Sequence, residues 1–216
     1  MSDARQTTQR PRRRDARDNR DRIVAAARER FTADGLDASL NAIARAAGVS
    51  IGTLYNHFPV REALIEETFL GLAEESLRSA EAALGSDAPW DGLVQHLTRM
   101  AELQATDRGF TDLCVRSLPA GSPIEAVKSR GQQLFHELIG RVQRSGELRG
   151  DIDVTDIGLL LWSIVRATED IRDRAPRVWR RHLGVLLDGL QAEAAHPLPE
   201  PPIDHQLLRT AMTSSH

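Results

Sequence analysis

Between residues 50 and 57 the chain reads Ser50-Ile-Gly-Thr-Leu-Tyr-Asn-His57, and Ser50, Thr53, Tyr55, Asn56 and His57 all carry hydrogen-bonding side chains. Hydroxyl, phenol and imidazole donors suit the oxygens of a sugar-phosphate backbone, and the Asn56 amide suits bidentate pairing with an adenine edge. Gly52 has no side chain, so the backbone there can lie close to a phosphate or a base. The free N–H groups and positive dipole end of a starting helix favour phosphate at the same place. The chemistry on offer is recognition of a polyanion.

Such residues work only if a helix presents them together. Ser39 is placed as an N-cap, and Leu40, Ile43, Ala44 and Ala47 follow at i, i+3, i+4 and i+7, one stripe of a helix about two turns long. Gly48 follows where that helix would end in a left-handed residue, a conformation glycine adopts at almost no cost. Val49 would plug the corner, and Ser50 offers a second N-cap for a helix starting at Ile51. Within it Leu54 and Phe58 point one way and the polar residues the other. This spacing is that of a helix-turn-helix, whose second helix enters the major groove of DNA.

A longer stretch makes the likeness specific. Ile23-Val-Ala-Ala-Ala-Arg-Glu-Arg-Phe31, Gly35, Ile43-Ala44, Ala47-Gly-Val-Ser50, Gly52-Thr-Leu-Tyr55, His57-Phe58 and Arg61-Glu-Ala-Leu64 resemble, in order and spacing, the DNA-binding domain of the tetracycline-repressor (TetR, AcrR-type) family of bacterial regulators. The resemblance implies phosphate contacts from Ser39, Ser50, Thr53, Tyr55, His57 and Arg61. Arg61 stands where the family often has lysine and keeps the charge. Base-edge contacts are implied for Ile51, Gly52, Thr53, Asn56 and Asn41. Ile51 departs from the polar residue common there, so it touches a thymine methyl or packs against the backbone.

Charge is divided unevenly. Residues 1–60 hold eleven Arg against seven Asp or Glu, a balance of +4, whereas the whole chain carries −3. Arg12, Arg13 and Arg14, with Arg10, Arg17 and Arg20, crowd the stretch before the first helix, and Pro11 discourages an early helix start. A basic disordered arm over residues 1–16 would either follow the DNA backbone into an adjacent minor groove or add only salt-dependent, sequence-independent affinity. The chain has no apolar run of the ~18 residues a membrane span needs, and no apolar stretch follows its basic start. The expectation is a cytoplasmic protein without membrane contact. Cys114 is the only cysteine, which excludes an intramolecular disulfide and a cysteine-based zinc cluster, and its bland reading is a small buried hydrophobe. The seven histidines form no pair at metal-ligand helical spacing. With no nucleophile elbow, phosphate-binding glycine loop or acid pair either, no catalytic residue, metal site or cofactor is expected.

The rest of the chain reads as helix: 17–33, 60–84, 90–105, 110–117, 122–145, 154–172 and 176–194, giving an all-α protein of about nine helices. The organisation expected is a helix-turn-helix domain over 17–64, a helical domain over 65–196 for effector binding and dimerisation, and a loosely held Pro-rich and polar tail over 197–216. The last two helices are apolar over much of their circumference, which places them in the centre of the protein or at a partner interface. The resemblance favours the interface, because in the family the last two helices form a four-helix bundle with those of a second subunit. Leu160, Ile164, Trp179, Leu183, Leu186, Leu187 and Leu190 are the residues assigned to it.

Family members also commonly enclose a pocket for a small, largely apolar effector. Phe69, Leu97, Met100, Leu103, Phe110, Leu113, Cys114, Phe135, Ile139 and Trp162 are its expected lining, with Arg116, His136, Arg166 and Glu169 as polar contacts. The segment from Gly146, with Glu147-Leu-Arg149, Trp179-Arg-Arg-His-Leu183 and Leu187-Asp-Gly-Leu190, resembles a C-terminal subtype frequent in actinobacterial members. The function implied is a homodimeric repressor that grips a palindromic operator in double-stranded DNA and is released by an effector. Activation, or regulation without an effector, and more remotely an all-α ligand-binding enzyme, are the alternatives.

Overall fold

The computed structural model describes residues 9–204 and 207, with side chains described from residue 15 onward except Ala194. Among the described residues there are nine α-helices and no strand: α1 (Gln9–Asp34), α2 (Leu40–Ala46), α3 (Ile51–His57), α4 (Arg61–Leu84), α5 (Pro89–Thr106), α6 (Arg108–Val115), α7 (Pro123–Arg144), α8 (Val154–Ala167) and α9 (Val178–Leu190). The helix starts and stops follow local chemistry. Asp107 caps α6 by accepting the Phe110 N–H, and Pro89 and Pro123 sit in the first turns of α5 and α7, where no intrahelical donor is lost. At α8 an Asp153/Asp156 capping box satisfies two free N–H groups at once.

Two expectations are corrected here. The helix expected from Arg17 begins at Gln9, so residues 9–16 continue α1 instead of forming an irregular arm. Pro11 does not prevent this, because a proline in the first turn lacks only an N–H that has no acceptor there. Residues 1–8 and the side chains of Arg12, Arg13 and Arg14 lie outside the described residues. The start of the tail is also tied down: Arg149 donates to the His196 carbonyl at 2.6 Å, and Asp151 accepts the Leu198 N–H at 3.3 Å.

Two apolar clusters hold the helices. The first is built on Ile23, Phe31, Leu36, Ile43, Leu54 and Phe58 of the first three helices and their connections and runs on through Leu64 and Phe69 of α4 to Phe110 and Leu113 of α6. The second joins Leu93 and Leu97 of α5, Leu138 and Val142 of α7, Ile157 and Leu161 of α8 and Trp179 and Leu183 of α9. Met100 packs against both. Each fully buried Leu, Ile or Phe contributes about 1.5–3 kcal/mol from water exclusion, so the division expected after Leu64 is a point inside a continuous helix and a continuous core. The close seat of α6 depends on Gly109, where a Cβ would lie 2.7 Å from the Phe69 ring and 2.8 Å from the Phe31 carbonyl oxygen.

Candidate nucleic-acid interface and the cavity behind it

The reading pair forms as its spacing dictates. Ser39 Oγ accepts the Ala42 N–H at 3.4 Å, and Ser50 Oγ accepts the Thr53 N–H at 3.0 Å. Between the helices Gly48 takes φ +66°, and the Val49 N–H reaches back to the Ala44 carbonyl at 3.0 Å. Leu54 and Phe58 are buried, which turns Gly52, Tyr55 and Asn56 outward. Tyr55 is 47% exposed, an unusual position for the chain's only tyrosine, with its phenol clear of the core. Asn41 is exposed on α2, Ile51 and Thr53 are half-buried, and His57 closes the last turn of α3. The Ser50 and Thr53 hydroxyls also lie 2.9 Å apart, so the cap and its neighbour form one small group of hydrogen-bonding atoms.

Arg61 takes another role. Its Nη1 donates to the carbonyls of Leu36 and Ala38 at 2.8 and 2.7 Å, tying the α1–α2 loop to the start of α4 instead of standing free for phosphate. Those carbonyls follow the end of α1 and have no helical partner, and a guanidinium fork is the strongest available donor. Sequence reasoning missed Arg45 and placed Arg20 only in the basic stretch before the first helix. Arg45 is exposed on α2 four residues after Asn41, hence on the same face. Arg20 stacks 4.5 Å over the Phe58 ring and pairs with Glu67 at 2.9 Å, bracing α3 from α1 and α4. The i+4 spacing from Asn41 could have found Arg45, but Arg20 needed the tertiary contact.

Behind the head, α4, α5, α6, α7 and α8 line a half-open cavity of about 450 Å³. Seven of the expected residues line it: Leu97, Met100, Phe110, Leu113, Cys114, Phe135 and Trp162, with His136 exposed at its rim. Four do not. Phe69 is spent on Phe31, with ring centroids 6.0 Å apart, and Leu103 and Ile139 are packed into the two cores. Arg166 pairs with Glu169 at 2.6 Å in a separate narrow recess beside Arg108 and Arg172. Arg116 likewise turns away from the cavity to pair with Asp37 at 2.7 Å. Periodicity gave the apolar face of each helix but not which part of it faces an opening.

The polar lining escaped sequence reasoning. His96 is buried, its Nδ1 lies 3.0 Å from Ser79 Oγ, and burial pushes its pKa down to about 4. Burial pushes the Cys114 thiol up to about 12, so both groups are neutral at pH 7. Lys128 donates to Glu125 at 2.9 Å and to the Arg116 carbonyl at 2.6 Å, which neutralises it in place. Gln104 is buried, with no hydrogen-bond partner for its Oε1.

α6 lies between cavity and head. Phe110, Leu113 and Cys114 face the cavity, while Asp112 Oδ2 accepts the Leu36 N–H at 3.0 Å in the loop that leads into α2. A shift of α6 therefore bears on the reading helices directly.

Residues 23–68 match the bacterial regulatory proteins of the tetR family, and residues 88–192 match the SbtR-like transcriptional regulator C-terminal domain. A TetR transcriptional regulator of Streptomyces coelicolor is 34% identical, over 80% of this chain and 98% of that one, with a TM-score of 0.52. The chain belongs to the TetR family of transcriptional regulators. A TetR regulator from Thermus thermophilus is 26% identical with a TM-score of 0.58, the alignment covering 79% of this chain and 96% of that one. The transcriptional regulator UidR of Escherichia coli is 26% identical over 139 residues, which is 64% of this chain and 71% of UidR. These relatives are regulators, not enzymes, and the helix-turn-helix carries the family's DNA-binding role. No described helix is long and apolar enough to cross a membrane.

The expected dimer residues divide. Trp179, Leu183 and Leu190 are no more than 4% exposed, because the stripe they form on α9 packs into the chain's own second core. Ile164, Leu186 and Leu187 are half-buried against that core, and Leu160 is exposed. Val185, 67% exposed, and Ile171 complete an outward apolar set that the reading of α9 as one stripe overlooked.

Proposed function

We propose that this TetR regulator is a homodimeric repressor that holds a palindromic operator and lets go when a small molecule occupies the 450 Å³ cavity. The observation that carries the reading is the placement of α6, with its apolar face in the cavity wall and Asp112 bonded to the loop that leads into α2. A ligand that alters the seat of α6 alters the free-energy balance between two placements of the reading heads. By linkage it weakens DNA binding only through its difference in affinity for those placements, with couplings of about 1–3 kcal/mol being typical. Two-fold symmetry follows from the target, since paired heads read half-sites one helical turn or a multiple apart. Leu160, Ile164, Ile171 and Val185 are the face that would meet the second copy.

Phosphate contacts come from Ser39, Ser50, Thr53, Tyr55 and His57, with Arg45 added, and base contacts from Gly52, Asn56 and Asn41. The test is gel-shift titration of duplexes covering the region upstream of the protein's own gene. Tyr55→Ala should weaken binding at every sequence, and Asn56→Ala should change preference at one operator position. If Tyr55→Ala binds as tightly as the parent, α3 is not the reading helix.

A further inference from the structure

The polar groups of the cavity are arranged along one helix in a way that defines what they can recognise. His96, Met100 and Gln104 stand at i, i+4 and i+8 of α5, one stripe spanning roughly 12 Å along the helix axis, and all three line the cavity. Each end of the stripe carries an uncharged hydrogen-bonding side chain and the middle carries a thioether. No carboxylate lines the wall among the described residues, and its one ammonium, Lys128, is already held by Glu125. A carboxylate or phosphate entering here would have to displace Glu125 or lie beside its negative charge, and an organic cation would find no counter-charge. Away from the exposed rim, where His136 stands, either ion would lose its water without a free partner, a costly burial.

Gln104 adds direction. Its Oε1 has no hydrogen-bond partner and is shut off from solvent, a state that costs free energy and that rotation of the amide toward the cavity would relieve by accepting a ligand donor. His96 has its Nδ1 occupied by Ser79, leaving the other ring nitrogen as the group it can offer. The Gln104 carbonyl also accepts the Thr111 hydroxyl at 2.8 Å, so a ligand seated on the Gln104 side chain acts at the root of α6.

We infer that the effector is an uncharged, elongated, mostly apolar molecule whose hydroxyl or N–H donates to Gln104 Oε1 while its body lies along Met100 toward His96. This rests on the cavity being the effector site. The cavity volume falls in the ~300–1,000 Å³ range that encloses a drug-sized molecule. The sequence shows a glutamine four residues before α6 but not that its amide is buried without a partner.

Four ten-carbon probes that differ only at one end test it on the full chain by isothermal titration: 1-decanol, nonyl methyl ether, decanoate and decylammonium. The alcohol should bind about tenfold more tightly than either ion and several-fold more tightly than the ether, which cannot donate. In Gln104→Leu the advantage of alcohol over ether should vanish while the ether still binds, and the empty variant should melt no lower than the parent, since an unmet amide has been removed. Gly158→Phe places a bulky ring on a residue of the cavity wall, at a position where a Cβ meets no heavy atom within 4 Å. That variant should bind none of the four. If either ion binds as tightly as the alcohol, or the alcohol keeps its advantage in Gln104→Leu, the inference fails while the cavity remains a binding site. If no probe binds the parent, or Gly158→Phe binds them all, both the inference and the cavity reading fail.

Discussion

Replacing Asp112 by alanine removes the bond through which α6 holds the reading head. Its Oδ2 accepts the Leu36 N–H at 3.0 Å, and Leu36 is fully buried beside a half-buried Asp112, so water replaces the carboxylate poorly. An unmet buried donor costs about 1–3 kcal/mol. The adjacent Arg116–Asp37 pair is shorter at 2.7 Å, but the Asp37 side chain is 64% exposed, and such pairs contribute about 0–1 kcal/mol. Distance alone would rank that pair first, whereas burial ranks Asp112 first. For a chain of this length each kcal/mol moves the melting midpoint by about 2–4 °C, so a 2 kcal/mol loss lowers it by about 4–8 °C. Asp112→Asn keeps an acceptor oxygen and should recover most of the loss, and Arg116→Ala should cost little. Differential scanning fluorimetry reads the midpoints, and amide hydrogen exchange should accelerate at Leu36 and through α2. If α6 also transmits the ligand signal, the factor by which an effector changes operator affinity should fall toward one in Asp112→Ala. A midpoint within a degree of the parent, with Leu36 exchange unchanged, would refute the reasoning.

Gly48→Ala should destabilise the protein by about 1–2 kcal/mol, because φ +66° is left-handed and a Cβ there is strained, and a thermal melt of the variant checks it. His96 predicts a pH dependence: its folded pKa of about 4 lies below the unfolded 6.5, so the unfolded chain takes the proton first as pH falls. Stability should be complete above pH 6.5 and fall between 6.5 and 4, with roughly 2 kcal/mol gone by pH 5, and His96→Gln should lose correspondingly less in urea titrations at pH 7 and 5. Val185→Glu, at an outward position 67% exposed, should leave the melting point of dilute protein near the parent's but shift the species seen by light scattering to the monomer. A dimer that persists at micromolar concentration would remove the outward face of α8 and α9 from the interface.

The sequence by itself determined the reading head. Ser39, Gly48 and Ser50 act within a few residues of themselves, as cap, turn and cap, so their roles were legible without any distant contact, and the stripe Leu54–Phe58 settled which face of α3 is buried. Most helix boundaries were legible for the same reason, since caps, prolines and glycines are local signals, but α1 starts at Gln9 instead of Arg17 and α8 ends at Ala167, five residues before the expected 172. Only the tertiary structure decided what apolar and charged residues do once helices meet. Trp179 and Leu183 have the pattern of an interface and the burial of a core, because periodicity fixes a face without saying what lies against it. Arg61 carries the charge of a phosphate contact and closes the α1–α2 loop instead, since the unmet carbonyls of Leu36 and Ala38 come within its reach only in the folded chain. Gln104 gave no signal at all, because an amide becomes selective only when the surrounding helices bury it and leave its oxygen unmet.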